Sequence, residues 1–321
     1  MASKLRKLFK GNKTQHERSA SDDPPSATLP SKANVQVTEP FPVGVKDWVE
    51  CDDAEVDICF IHGLTGNRDS TWTAKGQAEP WPKTLLPAEL PNMKARVFTY
   101  GYDAYIVRWG RPSVNQLTDH AMNFLQTVTV DREKKNASNR PLVVVAHSLG
   151  GLLIKQAILK SKNSPEKHLQ NMYNMVKGII FMGTPHTGSW MADWGKIPAD
   201  ILGILKSTNT NLLRVLQTND ELLVSLNADF LSLLRLLREG REDEKKISIT
   251  CFFEELPYPK IGPIVSKASA TFASDPPISV YANHSDMVKF ATVSHEGFQN
   301  VAGQLRRWMN EIRYSQPSPK V

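Results

Sequence analysis

Apolar positions along the chain follow two alternating rhythms. Short runs rich in β-branched and aromatic residues recur at VDICFIHG (56–63), ARVFTYGY (95–102), PLVVVAH (141–147), KGIIFMG (177–183), KISITCFFEEL (246–256) and PPISVYANH (276–284). Between them lie stretches with apolar residues three or four apart, which is helical spacing. WPKTLLPAEL predicts a short helix. SVNQLTDHAMNFLQTVTV (113–130) predicts an amphipathic one carrying Leu117, Ala121, Phe124 and Leu125 on one face, and SHEGFQNVAGQLRRWMNEI predicts a closing helix. Continuous apolar strands separated by helices are the pattern of a mostly parallel sheet covered on both faces, because a strand buried on two sides has no polar face to show. No internal repeat is visible.

Two regions break the rhythm. Residues 1–45 are rich in Ser, Pro, Lys and Asp and poor in large apolar groups, so they cannot offset the entropy of ordering and are expected to form a disordered basic tail. Residues 189–243 are Leu-rich and helical but too long for a simple crossover, so a helical cap insertion is expected there, within a folded domain at 46–314 and ahead of a short C-terminal tail at 315–321.

Composition changes this picture little. The chain has 321 residues, 40% of them hydrophobic, which is ample for one large core. The net charge of +6 favours anionic surfaces without selecting one, and no RRM, KH, zinc-finger or helix-turn-helix signature accompanies it, so nucleic acid is not an expected partner. The N-terminal MASKLRKLFKGNK sets Lys and Arg against Leu5, Leu8 and Phe9, which suits peripheral contact with an anionic membrane or mitochondrial import. The stripe is only about two turns long, and isolated helices this short are marginal in water, so a disordered basic tail is the preferred reading. Three cysteines, Cys51, Cys59 and Cys251, form no regular framework, which fits a reducing compartment. No run of about 18 apolar residues suggests a membrane-spanning helix.

The strongest chemical signal is AHSLGG, where Ser148 stands between an apolar strand and a helix. A strand-to-helix turn this tight holds a nucleophile in a strained conformation and needs small residues two positions before and after it. Ala146 and Gly150 supply them, the first departing from the usual GxSxG by one methyl group. A serine hydroxyl is a weak nucleophile and requires a base. His284 follows the last strand, where such a base belongs, and His295, at the head of the closing helix, is the rival. The acid should end a strand between them; Glu254 is chosen and Glu255 held in reserve. The backbone N–H groups of Leu149 and Leu64 would bind the oxyanion. His62, Gly63, His147 and His186 border the expected substrate pocket, His147 and His186 suiting structural hydrogen bonds as well. No cofactor is expected: GLTGNRDST lacks the GK[ST] ending of a phosphate loop, and no metal-ligand spacing such as HExxH occurs.

FIHGLTGNRDSTW, WPKTLLPAELP, YGYDA, VVAHSLGGLLIKQAI, IIFMGTPHTGSWMADW, CFFEELP and ANHSDMVKF follow one another over about residues 56–292. Together they resemble the serine-active-site-containing protein family of lipase-like α/β hydrolases, and look closest to the hydrolase domains of fungal immune-receptor-like proteins. The resemblance implies the α/β-hydrolase fold, Ser148 as nucleophile, Glu254 and His284 as acid and base, lipid acyl esters as substrates, and an intracellular place in the cytoplasm or on mitochondrial or endoplasmic reticulum membranes. The chemistry expected is an esterase or lipase working through an acyl-Ser148 intermediate, with transfer to another alcohol chemically equivalent. An acyl-protein thioesterase would use the same three residues, and a hydrolase-fold interaction module with little turnover is the alternative from another class.

Overall fold

The computed structural model describes residues 42–63, 66–90, 94–103, 114–187, 220–240, 246–259, 261–272 and 276–315. Seven strands, β1 (Gly44–Val49), β2 (Val56–Ile61), β3 (Ala95–Gly101), β4 (Leu142–His147), β5 (Val176–Met182), β6 (Ser248–Glu254) and β7 (Ile278–Val280), form one sheet in the order β1-β3-β2-β4-β5-β6-β7. β1 pairs antiparallel with β3, and every other pairing is parallel. This is the mostly parallel sheet expected from the alternating rhythm, in the α/β-hydrolase architecture that the resemblance implied. β2 and β4 are buried along their whole length, which is why they read as unbroken apolar runs.

Successive side chains on a strand face opposite ways, and the core divides accordingly. Cys59, Ile61, Val144 and Ala146 pack on one face against α3 (Val114–Lys134), α4 (Leu149–Lys162), α5 (Lys167–Met175) and α6 (Asp220–Arg238). Ile58, Phe60, Val143 and Val145 pack on the other, against Trp81 of α1 (Trp81–Thr84), Leu86 of α2 (Leu86–Glu89) and Phe298, Val301 and Leu305 of α8 (Glu296–Ser315). WPKTLLPAEL is two one-turn helices rather than one, because Pro82 and Pro87 each suit only a first turn.

Several expectations need correction. β1 begins at Gly44, so folded chain extends into the region assigned to the tail, and neither this edge strand nor α5 was anticipated. The last strand is three residues long, because the chain bends at Tyr281 into the loop that carries His284. Of the expected cap, α6 is a layer helix instead. Its Phe230, Leu233, Leu234 and Leu237 lie in the core beside Phe181 and Ile158. Residues 189–219 and 241–243 of that segment lie outside the described residues, as do 1–41 and 316–321. Among the described residues no helix is long and apolar enough to cross a membrane.

The chain leaves β2 for β3 on one side of the sheet and later enters β4 on the other. The loops after β2 and β4 therefore flank a crevice at the carboxyl ends of the strands, the place where such sheets bind ligands. At the opposite end Asp57 is fully buried and carries its charge on Arg132 (2.9 Å) and Arg140 (2.8 Å).

Candidate active site

Ser148 follows β4 directly and occupies the N-cap position of α4 with φ +54° and ψ −124°, a conformation that costs a non-glycine residue on the order of 1–3 kcal/mol and persists only where the surroundings enforce it. Two close approaches do so. A Cβ on Gly150 would stand 2.5 Å from the carbonyl oxygen of His62 and 2.7 Å from that of Ile61, and one on Gly63 would stand 2.7 Å from the Cβ of Ser148. The loop after β2 and the start of α4 thus touch backbone to backbone, which only glycine permits. Ala146 fits at the other small position, fully buried between β2 and β5. From the other side, Ser148 N–H donates to Met182 O (2.9 Å), and Thr184 Oγ1–H donates to Ser148 O (3.1 Å).

His284 reaches the same spot from the loop after β7. A Cβ on Gly183, itself at φ +58°, would lie 2.9 Å from Cε1 and 3.0 Å from Nδ1 of His284. The imidazole and the serine therefore flank residues 182–183. Glu254, the last residue of β6, accepts the Nδ1–H of His284 through Oε2 at 2.6 Å. Its Oε1 accepts the N–H groups of Ile264 (2.5 Å) and Val265 (3.4 Å), so the carboxylate cannot rotate freely. With Nδ1 committed as donor, Nε2 carries the lone pair. Ser148 Oγ is buried and makes no hydrogen bond among the described residues, so the serine–imidazole bond is not closed here; such bonds often tighten only around substrate. Glu255, the reserve acid, is exposed, and the rival His295 accepts Gly297 N–H at the start of α8.

The remaining residues divide clearly. Leu149 opens α4, where a first-turn N–H has no intrahelical partner and the helix dipole favours negative charge. Leu64 lies outside the described residues. The ring nitrogens of His62 and His186 are both engaged in internal hydrogen bonds. His62 donates from Nδ1 to Gly63 O (2.9 Å), accepts Tyr102 N–H at Nε2 (3.3 Å) and stacks on the Tyr102 ring, with centroids 4.5 Å apart. Burial pushes its pKa down to about 4, so it stays neutral and fixes the loop carrying Gly63. His147 donates from Nε2 to the carbonyl of His284 (3.0 Å), and burial, with His284 beside it, holds its pKa well below 6.5. His186 is fully buried beside Lys155 (2.6 Å) and Cys251 (3.6 Å). Sequence reasoning missed Lys155, Thr184 and the amides of Ile264 and Val265. A lone cation in the apolar run LLIKQAI was the one legible signal among them. A cavity of about 470 Å³ between α3 and α5, bordered by Thr129, Arg132 and Asn171, contains none of these groups.

A family model described as "Putative serine esterase (DUF676)" matches residues 58–258, well over half of the chain. The chain belongs to this family. The match spans Ser148 and Glu254 and ends before His284. Curated relatives of this chain include Protein SERAC1 of Danio rerio, 32% identical over 159 residues, and of Homo sapiens, 29% identical over 161 residues. Each alignment covers 44% of this chain and 23% of the relative, so the chain spans under a quarter of the length of the curated relatives it matches. Among solved structures, the NocB thioesterase domain in covalent complex with a fluorophosphonate nocardicin G analog is 12% identical, covering 83% of this chain and 99% of that one with a TM-score of 0.42. Bacillus licheniformis lipase BlEst2 is 15% identical, covering 88% and 55% with a TM-score of 0.44.

Proposed function

We propose that this serine esterase family member cleaves or transfers the acyl group of a lipid-like carboxylic ester through an acyl-Ser148 intermediate. The observation that carries the reading is the buried Glu254–His284 hydrogen bond, set beside a serine held at positive φ on the nucleophile turn. Nε2 of His284 takes the Ser148 proton as Oγ adds to the ester carbonyl carbon, and Glu254 stabilises the imidazolium. The oxyanion rests on the amides of Leu149 and Leu64. Collapse of the tetrahedral adduct breaks the bond to the leaving alcohol, which departs with the proton from His284. Water, or a second alcohol in the transfer reaction, then gives its proton to His284 and adds to the acyl carbon, and collapse of this adduct breaks the bond to Oγ, which takes the proton back from His284 as Ser148 is released. The Leu-rich composition of DILGILKSTNTNLLRVL (200–216), a sequence feature alone, supports an acyl chain over a sugar or peptide, since acyl chains are recognised by burial of aliphatic surface. Peripheral contact of the basic N-terminal segment with anionic mitochondrial or endoplasmic reticulum membranes belongs to the same proposal.

A fluorophosphonate probe followed by a panel of esters and thioesters of graded chain length tests it. Labelling is expected in the wild type and lost in Ser148→Ala and His284→Ala, with longer acyl esters preferred. Folded wild type that neither labels nor hydrolyses any member would assign the fold to an interaction module, and preference for thioesters would assign a thioesterase.

A further inference from the structure

Seven residues beyond Ser148, α4 carries a lysine with 0% exposure. A buried ammonium is costly unless a carboxylate or several acceptors compensate it. Among the described residues no carboxylate pairs with Lys155. Its Nζ lies 2.6 Å from Nδ1 of His186 and 2.6 Å from Oδ1 of Asn227, inside a cage of three phenyl rings at 5.3 Å (Phe272), 5.5 Å (Phe181) and 5.6 Å (Phe230). Two acceptors match the two N–H bonds of a neutral amine. Desolvation favours that form and draws the lysine's pKa down to about 7. His186 then accepts at Nδ1 and turns its Nε2–H towards the Cys251 sulfur. A core selected for stability alone would place Met here, with the same length and no polar head; a polar group that violates this local rule belongs with function.

What the amine holds is specific. His186 sits in the loop after β5, from which Thr184 donates to the carbonyl of Ser148. The N–H of His186 donates to Ser269 O (2.6 Å), and Ser269 Oγ–H donates back to Thr187 O (2.5 Å). Ser269 lies in α7 (Lys267–Ala270), directly after the Ile264–Val265 amides that fix Glu254. Asn227 extends the connection to α6. We propose that Lys155 is a positioning residue of the esterase site, fixing the 184–187 loop through His186 and α6 through Asn227 so that the Ser148 backbone and the support of Glu254 keep their reactive geometry. The inference rests on the reading of Ser148 as nucleophile.

The test uses the full chain and Lys155→Met, which keeps the apolar stem and removes the amine. Expected at pH 7 are a urea midpoint at or above that of the wild type, kcat on a soluble p-nitrophenyl ester lower by about tenfold or more, KM within about twofold, and faster amide exchange at 148–151 and 183–187. A purely structural role predicts instead that kcat falls only with a falling midpoint, and that result, like unchanged kcat in a stable variant, overturns the proposal. Should Lys155→Met fail to fold, Asn227→Ala cuts one of the two ties. It is expected to lower kcat about threefold with KM nearly constant and to speed exchange at 183–187, and unchanged values overturn the proposal. Failure of the esterase reading looks different, as wild type that neither turns over nor labels; the exchange comparison then decides the tie by itself.

Discussion

Replacing Glu254 by Gln should disable the site through a tautomer rather than through lost packing. The carboxylate accepts three hydrogen bonds, two through Oε1 from Ile264 and Val265 and one through Oε2 from His284. An amide has one accepting oxygen. Facing two backbone donors at 2.5 and 3.4 Å, it turns that oxygen to them and presents its NH₂ to Nδ1 of His284. The imidazole then becomes an acceptor at Nδ1 and carries its proton on Nε2, where the base requires a lone pair. Amidation of the triad aspartate in a serine protease has this consequence and costs about 10⁴ in kcat, or roughly 5.5 kcal/mol of transition-state stabilisation. A fall of about 10³–10⁴ in kcat is therefore expected for Glu254→Gln, with KM within a few fold and thermal stability nearly preserved because the side-chain volume is unchanged. Steady-state ester hydrolysis, fluorophosphonate labelling rate and a thermal melt measure the three quantities. Activity within about tenfold of wild type, or a larger loss in the exposed Glu255→Gln, would refute the assignment of the acid and the tautomer argument with it.

Three further outcomes follow from the same physics. The unfolded chain keeps the Lys155 proton up to pH 10.5, whereas the folded chain releases it above about 7, so stability rises with pH between these values and the whole penalty, with a ceiling of about 5 kcal/mol, stands below 7. Urea titrations from pH 6 to 9.5 should show Lys155→Met more stable than wild type at the acid end, with the gap narrowing towards alkaline pH; a constant gap would mean the amine, which faces only His186, Asn227, Cys251 and phenyl rings among the described residues, does not titrate there. Gly150→Ala sets a methyl 2.5 Å from a backbone oxygen and should destabilise by about 1–3 kcal/mol while slowing labelling of Ser148, read by urea midpoint and probe kinetics. Removing residues 1–40 should weaken binding to liposomes rich in anionic lipid at low salt, and equal binding of both forms would discard the membrane role of that segment.

The sequence by itself determined the parallel sheet, since strands buried on both faces have to be spelled in unbroken apolar runs, and it determined the nucleophile turn, since only small residues allow backbone to approach so closely at 146 and 150. It also narrowed the acid to adjacent glutamates at one strand end. Tertiary structure decided the rest. Glu254 and His284 were already preferred from the sequence, but the contacts that hold them together depend on which side of β6 faces the loop at Ile264 and which loop comes back to Gly183, neither of which has a local spelling. β1 escaped notice because a short edge strand just after Pro42, interrupted by Lys46 and Asp47, carries little pattern, and α6 looked like a cap because an amphipathic helix reads the same whether its apolar side covers a sheet or a ligand. Lys155 is the clearest instance. Its letter says surface, and only the convergence of α4, α6 and the β5 loop around it, contacts remote in sequence, turns a solvated charge into a buried amine.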